Sequence, residues 1–240
     1  MCLHKFNGRP TLQGVSATNV QHDLESLRRD LFLEETEDNW EKILKAIETF
    51  MKVGEQGGYE FAPAEVVIAL RNFHRPITNA LNSERTRLCG SALDLVSSVA
   101  GGLGRDFDQV MPLFMPALLT VCSRTNKVVM NRTRNTILGI IESTQLASAL
   151  PYFVQSVKDK AATLRLVVAE ATLACLNSCN PPDLEKVARA RDIETIIRGT
   201  ARDANPDVRQ LSRKVFDSYK ILLPSRVDRY ATCILWLSAK

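Results

Sequence analysis

From Asn19 onward the apolar residues of this chain fall into stripes with helical spacing. Val20, Leu24, Leu27 and Leu31 are separated by four, three and four positions, which predicts a helix over 19–33. Ile43, Leu44, Ile47, Phe50 and Met51 form the next stripe, over 39–54, closed by Gly54 and Gly57-Gly58. Asp38 or Asn39 is placed to cap that helix, and the acids of Glu34-Glu35-Thr36-Glu37-Asp38 suit its positive end. Further helices are expected over 63–81, opened by Pro63 and kinked or split at Pro76, and over 84–100, broken by Gly101-Gly102 and Gly104. The pattern continues over 106–122 (bent or short-started at Pro112 and Pro116), 127–143, 145–157, 160–178, 183–199, 206–222 and 225–237. No strand-like alternation occurs, and Asn7-Gly8 has no flanking strands to make it a hairpin. Residues 1–18 read as a loose arm, and 19–240 as one elongated all-α domain, undivided by any linker.

The helices repeat as a unit. A short polar turn, a basic or small residue and an amphipathic helix recur near Asn39-Trp40, Ser83-Glu84-Arg85, Asn126-Lys127, Lys160-Ala161 and Asn205-Pro206. The intervals, about 44, 43, 34 and 45 residues, indicate a HEAT-type α-solenoid of about five or six helix pairs. The pairs are read as 39–54 with 63–81, 84–100 with 106–122, 127–143 with 145–157, 160–178 with 183–199, and 206–222 with 225–237. In such an array the turns line one edge, where residues distant in sequence form a single ridge, and the surface is one for binding.

Composition narrows the function classes. Aromatic residues make up only 6% of the chain, so branched aliphatics fill the helix interfaces. The net charge of +4 is too small to point to nucleic acid by itself; a local basic edge facing an acidic protein accounts for it equally well. The six cysteines contain no C-x-x-C pair. Cys175 and Cys179 lie one helical turn apart without a histidine to complete a metal site, so the cysteines read as reduced core residues of a cytosolic protein. The start of the chain lacks the apolar core of a signal peptide, and no run is long enough to span a membrane.

Catalytic constellations are poorly represented. His4, His22 and His74 form no H-E-x-x-H or paired pattern. Ala100-Gly101-Gly102-Leu103-Gly104 looks superficially like a phosphate loop, but no Lys-Ser/Thr follows and no strand precedes it, so it reads as an inter-helix turn. No enzyme activity, metal or cofactor is implied. The turns themselves carry the candidates: Trp40, as core anchor or exposed contact, then Arg85, Thr86 and Arg87, then Lys127, then Lys158, Lys160 and Arg165, then Arg209, Arg213 and Lys214. A cation on nearly every turn would steer encounter with an extended acidic partner.

These turns resemble the TOG domain family, and most closely its CLASP branch, over residues 38 to 230. Arg202-Asp203-Ala204-Asn205-Pro206-Asp207-Val208-Arg209 followed by Arg213-Lys214-Val215-Phe216 is similar to the family's closing stretch. Asn39-Trp40-Glu41-Lys42 resembles its D-W-E-x-R opening, and Glu84-Arg85-Thr86-Arg87-Leu88 its second turn. Asn126-Lys127-Val128-Val129, and Lys158-Asp159-Lys160 with Leu164-Arg165, resemble the third and fourth. The resemblance implies an arch-like paddle whose intra-repeat turns contact αβ-tubulin. Carried over position by position, Trp40, Thr86, Lys127, Arg165 and Arg209 are the tubulin-binding candidates, with Lys160 and Lys214 behind them. It also implies a regulator of microtubule dynamics or spindle organisation, in the cytoplasm on microtubules, with other plus-end or kinetochore proteins as further partners. The chain departs from the family at Ile43, where a basic residue is expected, and at Leu166-Val167-Val168, where a dense arginine run is expected. It holds one array and no basic Ser-rich linker, where CLASP proteins carry several arrays, so it reads as a fragment, a truncated gene model or a reduced paralogue. The alternative function is a HEAT adaptor that docks another protein, at kinetochores or the cortex, without touching tubulin.

Overall fold

The computed structural model describes residues 16–227. Ten principal helices follow one another: α1 (Ala17–Ser26), α2 (Trp40–Val53), α3 (Pro63–Leu81), α4 (Thr86–Leu103), α5 (Met111–Cys122), α6 (Lys127–Thr144), α7 (Leu150–Ser156), α8 (Ala162–Ser178), α9 (Val187–Thr200) and α10 (Pro206–Leu222). No strand occurs among the described residues. Ser16 caps α1 through its side chain, so the helix opens two residues before the expected start. The rest of the expected arm, and the expected helix over 225–237 beyond Val227, lie outside the described residues. The first helix steps at Leu27 and resumes as a single turn, Arg28–Leu31.

The helices form two layers. α2, α4, α6, α8 and α10 stack side by side in one, and α1, α3, α5, α7 and α9 in the other. The apolar stripes of both layers meet between them, where Leu70, Phe73, Val96, Phe114, Leu118, Ile137, Ile140, Val168 and Ile197 are almost wholly excluded from water. The pairing differs in frame from the sequence expectation. The close antiparallel pairs are α1/α2, α3/α4, α5/α6, α7/α8 and α9/α10, so each repeated polar turn lies inside a pair. Connection length follows this frame over most of the array. Residues 82–85, 123–126, 157–161 and 201–205, inside pairs, make direct reversals, whereas 54–62, 104–110 and 179–186, between pairs, hold short helical segments. Residues 27–39 inside the first pair and 145–149 between the third and fourth depart from it, and there the helix contacts alone set the frame.

Two expected breaks are absent. α3 runs on through Pro76, whose ring is buried. The carbonyl deprived of its helical donor belongs to Asn72, an exposed residue, where water can serve it. α4 likewise passes through Gly101 and Gly102 and ends at Gly104, where φ is 53°. Gly102 is required by packing: a Cβ there would stand 2.1 Å from the Tyr59 ring, whose hydroxyl is held 3.0 Å from Ser98 Oγ. A Cβ at Gly101 would meet nothing within 4 Å. Gly102→Ala is therefore expected to lose stability, because overpacking of about 1–3 kcal/mol outweighs a helix-propensity gain of about 1 kcal/mol. Gly101→Ala should be neutral or stabilising. Urea denaturation of the two variants checks the contrast.

Candidate partner-binding edge

Because α2, α4, α6, α8 and α10 are parallel neighbours, their N-termini and the turns before them lie along one edge. The turns share a local device. Ser83 Oγ accepts the Arg85 amide at 3.0 Å, Asp159 Oδ1 the Ala161 amide at 2.7 Å, and Asp203 Oδ1 the Asn205 amide at 2.8 Å. Each side-chain oxygen thus bonds the backbone two residues ahead, the local geometry that short polar residues favour in turns. Asn126 caps α6 on the Val128 and Val129 amides, and Asn205 caps α10 on that of Asp207. Asn39 occupies the corresponding position before α2 but, against expectation, makes no such cap: its Oδ1 instead accepts the Lys42 ammonium at 3.3 Å.

Neighbouring turns are tied to one another. Ser83 donates to Glu35 at 2.6 Å and Arg85 to Glu37 at 2.6 Å, joining the second turn to the first. Arg124 donates to the Asn82 and Ser83 carbonyls, joining the third to the second. Thr163 donates to the Cys122 carbonyl at 3.3 Å, bringing the start of α8 to the end of α5. Arg165 grips Asp203 with two hydrogen bonds, 2.6 and 2.9 Å, joining the fourth turn to the fifth. Those bonds hold the Asp203 carboxyl below the usual carboxylate range.

The structure places the candidates as follows. Trp40 opens α2, half-buried, with the Arg85 and Arg87 guanidiniums over its ring, 5.6 and 5.5 Å from the centroid. It is both packed against the core and part of the edge. Thr86 and Lys127 are exposed at the first positions of α4 and α6, and Val128 beside Lys127 is 68% exposed. Arg165 is folded inward, its side chain only 15% exposed, with Nη1 also donating to the Asp159 and Lys160 carbonyls. Arg209 is half-buried, and its Nη1 donates to the Asp203 and Ala204 carbonyls at 2.7 and 2.8 Å. Lys160 and Lys214 are exposed. Ile43, the departure from the family pattern, is buried. Sequence reasoning missed Asp203, Arg124, Glu35 and Glu37 as the ties between turns. For Asp203 the available signal was the recurrence of Ser or Asp two residues before the helix cap, at Ser83, Asp159 and Asp203.

The described cysteines and His74 are packed or hydrogen-bonded within the array. Cys89, Cys122, Cys175 and Cys179 are buried free thiols, and burial pushes Cys122 up to about 12, so it stays protonated. Cys2 and Cys233 lie outside the described residues. His74 Nδ1 is spent on the Arg71 carbonyl at 2.7 Å. Among the described residues no group of three or more His, Cys, Asp or Glu could hold a metal ion, and no helix is long and apolar enough to cross a membrane.

A two-layer array of helix pairs, presenting one edge of cross-tied polar turns, is the class of protein these observations define. The family model for the CLASP N-terminal region matches residues 21–232, and the chain belongs to that family. It is 25% identical over 230 residues to Protein stu-1 of Neurospora crassa, a match covering 92% of this chain and 20% of that protein's length. Among solved structures, it superposes with a TM-score of 0.71 on a chain from work on the structural basis of microtubule plus-end tracking by XMAP215, CLIP-170 and EB1, at 17% identity, covering 93% of this chain and 88% of that one. A second chain, from work on TOG-tubulin binding specificity in microtubule dynamics and mitotic spindle formation, gives a TM-score of 0.59 at 14% identity, covering 89% and 85%. These likenesses establish the fold as that of a HEAT-type TOG array.

Proposed function

We propose that this chain is a non-catalytic tubulin-binding module that acts on microtubule dynamics or spindle organisation from the cytoskeleton. It contacts αβ-tubulin through the turn edge, with Trp40, Thr86, Lys127 and Arg209 as contact residues. The observation that carries this reading is Trp40, with Arg85 and Arg87 over its ring, at the head of a ridge that continues through exposed Thr86 and Lys127. An aromatic anchor flanked by arginines is the make-up of an interface hot spot. Family membership and the TOG fold support it. No bond-making step is involved: better binding to one tubulin conformation than another shifts assembly equilibria.

Sedimentation velocity of the chain with unpolymerised αβ-tubulin at low salt tests this. A faster-sedimenting complex is expected for the native sequence and none for the Trp40→Ala, Arg209→Ala double variant. Independent boundaries for the native sequence would overturn the reading. The adaptor alternative draws on buried Ile43 and inward-folded Arg165, which leave the ridge with fewer outward cations. Crosslinking in cell extract with tubulin as the dominant product would count against it.

A further inference from the structure

We infer that Asp203 is a positioning residue that makes the fourth and fifth turns one rigid contact unit, and that Lys158 and Lys160, rather than Arg165, are the cations this unit presents to an acidic partner. This rests on the tubulin-binding reading above.

The argument is a count of donors. Arg165 has five N–H groups, and four hydrogen bonds already engage them: Nε and Nη2 to the two Asp203 oxygens, and Nη1 to the Asp159 and Lys160 carbonyls. One N–H is left over, and a partner carboxylate seeking the two-pronged grip on Arg165 would have to displace a carboxylate that is bidentate and 4% exposed. Asp203 in turn shapes its own loop by accepting the Asn205 amide, and Arg209 staples the Asp203 and Ala204 carbonyls. The two arginines therefore perform the same task one repeat apart, each folding back from the first turn of its helix onto the carbonyls of the preceding turn. Arg165 alone adds the cross-tie. Lys158 and Lys160 lie in the turn whose backbone Arg165 fixes; both are exposed, and neither makes an ion pair among the described residues. Their placement thus depends on a carboxylate about 40 residues downstream, which need not touch the partner at all.

Charge gives the test its sign. Asp203→Asn makes the protein more positive by one unit. If charge alone mattered, binding to an acidic partner would tighten or stay the same. If Asp203 positions the turns, binding weakens, by about tenfold, the loss typical of a misplaced interface contact. The experiment is fluorescence anisotropy of labelled, unpolymerised αβ-tubulin against the native chain, Asp203→Asn, Arg165→Lys and the Lys158→Ala, Lys160→Ala pair, at two salt concentrations. Arg165→Lys keeps the charge but loses the planar fork and should match Asp203→Asn, both retaining the native salt dependence. The lysine pair should weaken binding and flatten the salt dependence. Native-strength binding by Asp203→Asn, or native affinity and salt dependence for the lysine pair, would overturn the inference. The lysine substitutions leave in place the Lys160 carbonyl that Arg165 holds, so they test which cations are presented even if the other variants fold poorly. Should the native chain itself form no complex, the tubulin reading falls. The coupling is then judged by amide hydrogen exchange, where Asp203→Asn must accelerate exchange in residues 157–161, and unchanged rates there refute it.

Discussion

Replacing Glu194 with alanine is expected to cost the fold about 3–5 kcal/mol, the range for breaking one side of a buried charge pair. Glu194 projects from α9 with its side chain 1% exposed. Its Oε1 accepts the Tyr219 hydroxyl from α10 at 2.7 Å and Arg226 Nε from beyond α10 at 2.8 Å. Burial and the Glu194 bond push the Tyr219 hydroxyl well above the ordinary phenol range, so it remains a donor at any working pH. Truncation leaves a buried hydroxyl and an arginine without their acceptor. Glu194→Gln keeps an acceptor and loses only the charge, so it should cost less, about 1–2 kcal/mol. The order Ala worse than Gln, read from urea midpoints, distinguishes a charge-centred clamp from simple side-chain packing. Because a solenoid repeat is supported mainly by its neighbours, amide protection should fall first in α9 and α10. Uniform loss across all ten helices would mean instead that the array unfolds as one unit.

Helix number, helix faces and the location of the turns were legible in the sequence because they depend on local periodicity and turn chemistry. Val20, Leu24 and Leu31 are buried, as their spacing predicts, and so are Ile43, Leu44, Ile47 and Phe50. The frame in which helices pair was misread because an apolar stripe records that a face is covered but not by which neighbour. The short connections at 82–85 and 201–205 held that information. Gly102 and Arg165 show a second limit. A glycine near a helix end reads as a stop, yet its reason is the ring of Tyr59, 43 positions earlier. An arginine in a basic turn reads as a contact, yet its partner is Asp203, 38 positions later. Side-chain partners across repeats leave no mark on local pattern, and the candidate edge is made of such partners.

Phe73→Ala is expected to destabilise the array by about 3–5 kcal/mol and to loosen the first turn of the partner edge as well. Phe73 lies in α3 with no exposed surface, edge-on to Phe50 of α2 at 6.4 Å and to Phe32 of the first turn at 6.2 Å. The Arg28 guanidinium sits 5.2 Å from its ring centre. One ring therefore carries both a core contact between layers and the anchor of residues 32–39, the segment that leads into Trp40. Phe32 is half exposed, so Phe32→Ala should remove the anchor at a much smaller cost, of about 1 kcal/mol for the aromatic pair. Comparing the two separates the effects. Urea titration should rank Phe73→Ala far below Phe32→Ala, while hydrogen exchange of residues 32–39 should accelerate in both. If exchange there stays at native rates in Phe32→Ala, then Glu35 on Ser83 and Glu37 on Arg85 hold the first turn by themselves, and the presentation of Trp40 is set electrostatically from the second turn. If it accelerates, tubulin affinity should fall with it although Phe32 need not touch the partner, because an anchor presented from a mobile turn loses to ordering what a rigid one keeps.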